Sequence, residues 1–188
     1  MDADSAPGRL ALVESLVNTL EIDEDTDELA TPAALGAWLT ANELAPAGAR
    51  WTQADLERVV DLRECLRELL LANTGGAPDP AAIASAVALG REAPLAVTVD
   101  AAGRTALEPL GAGVDAVLGR LLAIVAEAQA EGSWMRMKAC LADDCHWAFY
   151  DGSRNRSRTW CSMSVCGNRA KARSYRARAS GRGAHGTP

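Results

Sequence analysis

Cys140, Cys145, Cys161 and Cys166 form two pairs with the same C-x4-C spacing, fifteen residues apart, near the C-terminal end of a 188-residue chain. Thiolates this close along a chain can converge on one tetrahedral ion, and fifteen residues suffice for a hairpin that brings the pairs together. Zinc suits such a set. Four thiolates saturate it and leave no position for water, so one structural Zn2+ is expected, with no catalytic role. His146, beside Cys145, is the alternative ligand within reach. Neighbouring side chains on a strand point to opposite faces, which puts His146 on the hairpin surface instead. Zinc with four thiolates is formally anionic, so Arg169, and after it Arg136 and Lys138, can neutralise the site and bond its sulfurs.

More positive charge is present than that task needs. From Arg136 to the end, eleven Arg and Lys face three acids, a balance of +8, whereas residues 1–135 carry −14; the chain's net −6 hides the division. A compact basic segment of this kind is the electrostatic footprint of a module that meets phosphate. Arg169, Arg173 and Arg176 share one face of a terminal helix, and Lys171 and Arg178 lie on a neighbouring one. Arg154, Asn155, Arg156 and Arg158 occupy the loop between the cysteine pairs, where the arginines suit phosphates and Asn155 suits a base edge. The expected partner is nucleic acid, first of all duplex DNA. RNA, or an acidic protein docked by the zinc module, is the competing reading.

The second pair lies in Trp160-Cys161-Ser162-Met163-Ser164-Val165-Cys166-Gly167-Asn168-Arg169, which ends in C-G-N-R. With Arg136-x-Lys138-x-Cys140 before it and Cys145-His146-Trp147-x-Phe149-x-Asp151-x-Ser153-x-Asn155 between, residues 133–178 resemble the CGNR zinc finger family. In that family the finger follows an N-terminal ABATE domain, a stress-induced transcription regulator, and Leu10-Ala-Leu-Val-Glu-Ser-Leu-Val-Asn-Thr-Leu20 looks like its start. The resemblance implies a bacterial transcription regulator that binds DNA through its finger.

The elements that must position these residues are legible in the apolar pattern. Leu12, Val13, Leu16, Val17 and Leu20 mark a helix over about 9–20. Thr31-Pro32 caps a short one with Leu35, Trp38 and Leu39 inward, and Thr52 caps a long one that stops at Asn73-Thr-Gly-Gly76. Asp79-Pro80 opens a fourth helix; Leu95–Val99, a turn at Asp100–Gly103 and a return to Leu107 read as a hairpin; a fifth helix runs from Val114 to Glu131-Gly132. Within the finger, Cys140–Cys145 is a knuckle, His146–Asp151 a strand returning toward Trp160-Cys161, and Ser162 or Ser164 caps a helix over 165–179. The fold class is α+β, mainly α: a helical domain with one β-hairpin at 8–132, a treble-clef-like zinc finger at 133–179, and a disordered tail at 180–188 that includes His185. On this division, Cys161→Ser unfolds the finger and spares the N-terminal domain.

Several function classes lose their parts. The chain has no glycine-rich phosphate loop, G-x-S-x-G elbow or H-E-x-x-H helix, and its first 135 residues hold no histidine, so an enzyme is not expected. Cys65, between Leu62 and Leu66, reads as a packed, inert thiol, and Asn18-Thr19 as an ordinary polar pair at a helix end. No basic, apolar leader opens the chain and no apolar stretch is long enough to span a bilayer, so a cytoplasmic protein is expected, where reduced thiols stay available to metal. An enclosed polar pocket in the N-terminal domain would fit ligand sensing, and a solid core would fit assembly, including a homodimer. The acidic run Glu21-Ile-Asp-Glu-Asp-Thr-Asp-Glu28 reads as a solvated loop, with autoinhibitory contact to the basic finger as the sharper alternative.

Overall fold

The computed structural model describes residues 5–182, with only the backbone described for Ser174 and residues 177–182. Helix α1 (Leu10–Val17) buries Leu10, Val13, Leu16 and Val17. It stops short of the expected residue 20 because the chain bends at Asn18-Thr19 into a ribbon of β1 (Leu20–Glu21) and β2 (Thr26–Asp27). The acidic run is thus a second N-terminal hairpin, and Asp27 explains it. Its carboxylate accepts two bonds from the buried Arg63, at 2.7 and 3.0 Å, and one from the Leu29 amide at 2.8 Å. Burial pushes the Asp27 carboxyl up, but Arg63 and the Leu29 amide outweigh it and hold it below its ordinary value.

Helix α2 (Pro32–Ala41) starts where Thr31 accepts a bond from the Ala34 amide. Helix α3 (Gln53–Thr74) opens with a reciprocal Thr52–Asp55 capping box and closes at Gly75, whose φ of 103° is left-handed. Asp79 caps α4 (Pro80–Glu92). Strands β3 (Leu95–Val99) and β4 (Thr105–Pro109) pair antiparallel with Leu95 opposite Pro109, two residues longer on the return than expected. Helix α5 (Val114–Glu131) ends at the left-handed Gly132. The β3–β4 hairpin lies so close on α5 that a Cβ at Gly119 would stand 2.9 Å from Pro109 Cβ.

The core does not end where α5 does. Trp134, Met137, Ala139 and Ala148 pack in the same buried cluster as the leucines and valines of α1, α3 and α5. Strands β5 (Met137–Ala139) and β6 (Ala148–Tyr150) pair antiparallel, with Lys138 opposite Phe149. This corrects the expected pairing: β6 is joined to the segment before the knuckle, not to Trp160-Cys161. The cause is Asp151, fully buried at the end of β6. Its carboxylate accepts from Lys138 Nζ at 2.8 Å, from the Ser153 hydroxyl and amide, and from the Arg158 amide, and Lys138 Nζ also donates to the carbonyls of Arg156 and Arg158. Residues 151–158 therefore wrap a buried ion pair as a loop and cannot form a strand.

Ser162 caps a π-helical turn (Met163–Gly167) that runs directly into α6 (Asn168–Arg182). The terminal helix extends three residues past the expected 179; residues 183–188, with His185, lie outside the described residues, as does the side chain of Arg178. No helix among the described residues is long and apolar enough to cross a membrane.

Candidate metal centre

Cys140 follows β5 directly, and its amide donates to the Trp147 carbonyl at 3.0 Å, closing the knuckle that contains Cys145. The Leu141 amide donates to the Thr159 carbonyl at 3.0 Å, which draws Cys161 alongside, and the Ser162-capped π turn delivers Cys166. All four sulfurs lie within 4.8 Å of one another; Cys145 and Cys161 are 3.6 Å apart, Cys161 and Cys166 3.7 Å. A disulfide would need about 2.0 Å. Tetrahedral zinc with Zn–S near 2.3 Å puts its sulfurs roughly 3.8 Å apart. The four cysteines are therefore arranged to bind one metal ion, and their chemistry fits zinc.

The crowding of the four sulfurs shows why a cation belongs there. Thiol hydrogen bonds from Cys145 and then Cys161 hold Cys140 as a thiolate far below the ordinary thiol value, and the same bonds to Cys140 push Cys145 upward. Cys161 is likewise raised, first by Cys140 and then by Cys145. Four sulfurs packed this closely cannot all carry negative charge unless a cation stands among them, and a bound Zn2+ would take the place of their protons. His146 is no part of the cluster. It precedes β6 in the left-handed region, φ 50°, and offers its carbonyl to Arg67 at 3.1 Å.

The letters C-G-N-R acquire separate tasks here. Cys166 is a ligand; a Cβ at Gly167 would stand 2.5 Å from Met163 Sδ and 3.3 Å from the Trp160 ring; Asn168 Nδ2 donates to the Ser164 carbonyl at 3.0 Å. Arg169 donates to Cys166 Sγ at 3.3 Å and to Asp144 at 3.2 Å, and it approaches Asp23 of the acidic ribbon at 3.8 Å. Of its two sequence-based roles, Arg169 fills the one at the metal site. Arg136 is spent on the carbonyls of Asp151 and Ser153, and Lys138 on the buried pair with Asp151. Arg158 donates to the Cys161 carbonyl at 2.8 Å with its guanidinium 5.0 Å above the Phe149 ring.

The other cationic candidates stay outside. Arg154, Asn155 and Arg156 are exposed, and among the described residues no side-chain hydrogen bond or ion pair engages them. Lys171, Arg173 and Arg176 are exposed on α6, where Arg173 comes within 3.7 Å of Asp144 and Arg176 bonds the Ala172 carbonyl of its own helix. The acidic run does touch the finger, through Asp23, but at the zinc site; among the described residues it does not pair with Arg154 or Arg156.

Sequence reasoning missed the residues that join finger to helices. Asn18 acts like a strand partner for β6, donating to the Ala148 carbonyl at 3.0 Å and accepting from its amide at 2.7 Å. Arg67, buried on α3, ties the Val17 carbonyl to the His146 carbonyl. Asn73 donates to the carbonyls of Trp134 and Met137, and Thr74 both donates to and accepts from the Ala139 backbone. The only signal was a polar pair at the end of each helix, Asn18-Thr19 and Asn73-Thr74, which local chemistry explains equally well.

Residues 136–179 match the CGNR zinc finger family, and residues 10–131 match ABATE, described as a putative stress-induced transcription regulator. The chain belongs to the ABATE family. A comparison with curated proteins gave no match. In this ABATE chain only residues 132–135 separate the two matched regions, and Trp134 among them is buried in the common core. The ABATE region itself shows open grooves of ≈ 910 and ≈ 640 Å³ on either side of Trp51, lined largely by small residues. Cys65 packs as an inert thiol: its Sγ lies 3.1 Å from the Ala82 carbonyl, and burial, then Asp61, push its pKa up.

Proposed function

We propose that the chain is a zinc-dependent, DNA-binding transcription regulator whose finger supplies the nucleic-acid surface. One observation carries this reading: the fold consumes Arg136, Lys138, Arg158 and Arg169 internally and still leaves Arg154, Arg156 and Lys171 exposed on a module docked to an acidic body. A structural finger needs no such surplus. Exposed cations on a rigid frame attract phosphate by releasing its counterions.

The zinc is structural in this reading and no catalysis is proposed, because four thiolates complete its shell. Exposed Met163 and Val165, next to the metal, support a second reading in which the finger docks a protein. A salt titration of the full-length, zinc-loaded chain against duplex DNA decides between them. DNA binding predicts affinity falling with salt along a log–log line whose slope is about −0.9 for each phosphate contacted. Absence of salt-sensitive binding at micromolar protein leaves the protein-docking reading.

A further inference from the structure

The finger's cations differ in the company they keep. Arg169 and Arg173, in the first turns of α6, face Asp144 at 3.2 and 3.7 Å, and Asp23 stands 3.8 Å from Arg169. Both carboxylates are close to half exposed, so a phosphate nearing that end of the helix meets repulsion along with attraction. The flank on the other side of the cysteine cluster is different. A groove of ≈ 960 Å³ runs between residues 153–160 and the start of the π-helical turn that precedes α6, and no carboxylate lines it among the described residues. Arg154, Asn155 and Arg158 stand on its loop side, Ser162 and Ser164 on its helix side, and Trp160 between them.

Several of these groups are already held in place. Arg158 is fixed by the Cys161 carbonyl and the Phe149 ring, so its charge is pinned in the groove wall. The Ser162 and Ser164 hydroxyls are 2.9 Å apart, and Ser162 accepts from the Val165 amide, which fixes that wall to the zinc-bearing turn. Arg154 and Asn155 extend exposed from the rim. Fixed charge, hydroxyl donors and an absence of acids together describe a seat for an anion rich in oxygen.

We propose that this groove, and not the outer face of α6, seats the sugar-phosphate backbone of one DNA strand. Arg154 meets a phosphate, Arg158 supplies fixed charge behind it, the serine hydroxyls bond phosphate oxygens, and Asn155 at the rim reaches toward a base edge. The assignment rests on the DNA-binding reading above and names its site.

Full-length, zinc-loaded protein tests it by fluorescence anisotropy on duplex DNA across a salt series, comparing Arg154→Gln, Arg154→Lys and Arg173→Gln. Zinc content and melting temperature equal to wild type establish that each variant is folded. Arg154→Gln is expected to weaken binding several-fold at physiological salt and to reduce the log–log slope by about 0.9. Arg154→Lys retains most of the affinity, and Arg173→Gln shifts the slope by less than half as much as Arg154→Gln. Amide exchange on DNA binding is expected to slow more over residues 153–164 than over 170–182. Wild-type binding with an unchanged Arg154→Gln slope, or greater protection of 170–182, overturns the groove assignment alone. Failure of wild-type protein to bind any DNA overturns the DNA reading and the groove with it, and preference for single-stranded RNA over duplex overturns the choice of DNA.

Discussion

Asp151 is the residue on which the finger's loop is built. Burial raises its pKa, but bonds from Lys138, from the Ser153 hydroxyl and from the amides of Arg158 and Ser153 outweigh that and hold it well below the ordinary carboxylate range. A depressed folded pKa contributes stability that is complete above the unfolded value of about 4 and is lost as pH falls through the folded value. Asp151→Asn, which leaves Lys138 charged and buried, is expected to cost about 3–5 kcal/mol at pH 7 in urea denaturation. The gap from wild type should narrow as the pH drops below about 4, provided both proteins carry equal zinc. The ligand residues were legible in the sequence because spacing alone restricts which thiolates can meet. The Lys138–Asp151 pair was not, since a basic and an acidic residue thirteen positions apart look like surface until packing encloses them.

At the scale of elements, the finger is held by what α1 and α3 present to it. Arg67→Met removes donors from the Val17 and His146 carbonyls and leaves Glu64 without that partner, so a loss of about 3 kcal/mol is expected. Because His146 adjoins a zinc ligand, transfer of zinc to a coloured chelator should be faster in this variant than in wild type. Gly119→Val tests another contact, the seating of β3–β4 on α5. Its side chain would overlap Pro109 and Leu95, costing about 1–3 kcal/mol in thermal denaturation without changing the rate of zinc release. Helix starts and stops were read correctly where capping chemistry is local: Thr31-Pro32, Thr52, Asp79-Pro80 and the left-handed Gly75 and Gly132. The failures were β1–β2, set by Asp27 reaching Arg63 on α3, and the partner of β6, set by a buried carboxylate.

For the whole molecule, the common core alters what metal loss must do. A finger tethered by a linker would unfold alone when Cys161→Ser empties it. Here Met137, Ala139 and Ala148 belong to the same core as Leu16, Leu66 and Leu118, so zinc's contribution, on the order of 10 kcal/mol in small zinc modules, is felt in the helical region as well. Calorimetry of the zinc-loaded chain is expected to show one transition, and chelation or Cys161→Ser to lower it and to speed proteolysis within α1 and α3. Two independent transitions, with the helical one indifferent to zinc, would refute this coupling.

By itself the sequence determined the four ligands, the charge division and the helices whose caps are local, because each depends on residues a few positions apart. It also carried the family, through the C-G-N-R run and the opening helix, as the matches to both regions show. Tertiary structure alone decided which cations are consumed, which strand pairs with β6, and that finger and helices share one interior. Those outcomes turn on partners such as Asn18 with Ala148, 130 residues apart, and Arg67 with His146, 79 residues apart. A polar side chain at a helix end has the same local reasons to be there whether it faces water or a backbone brought in from far along the chain, and only packing removes the water.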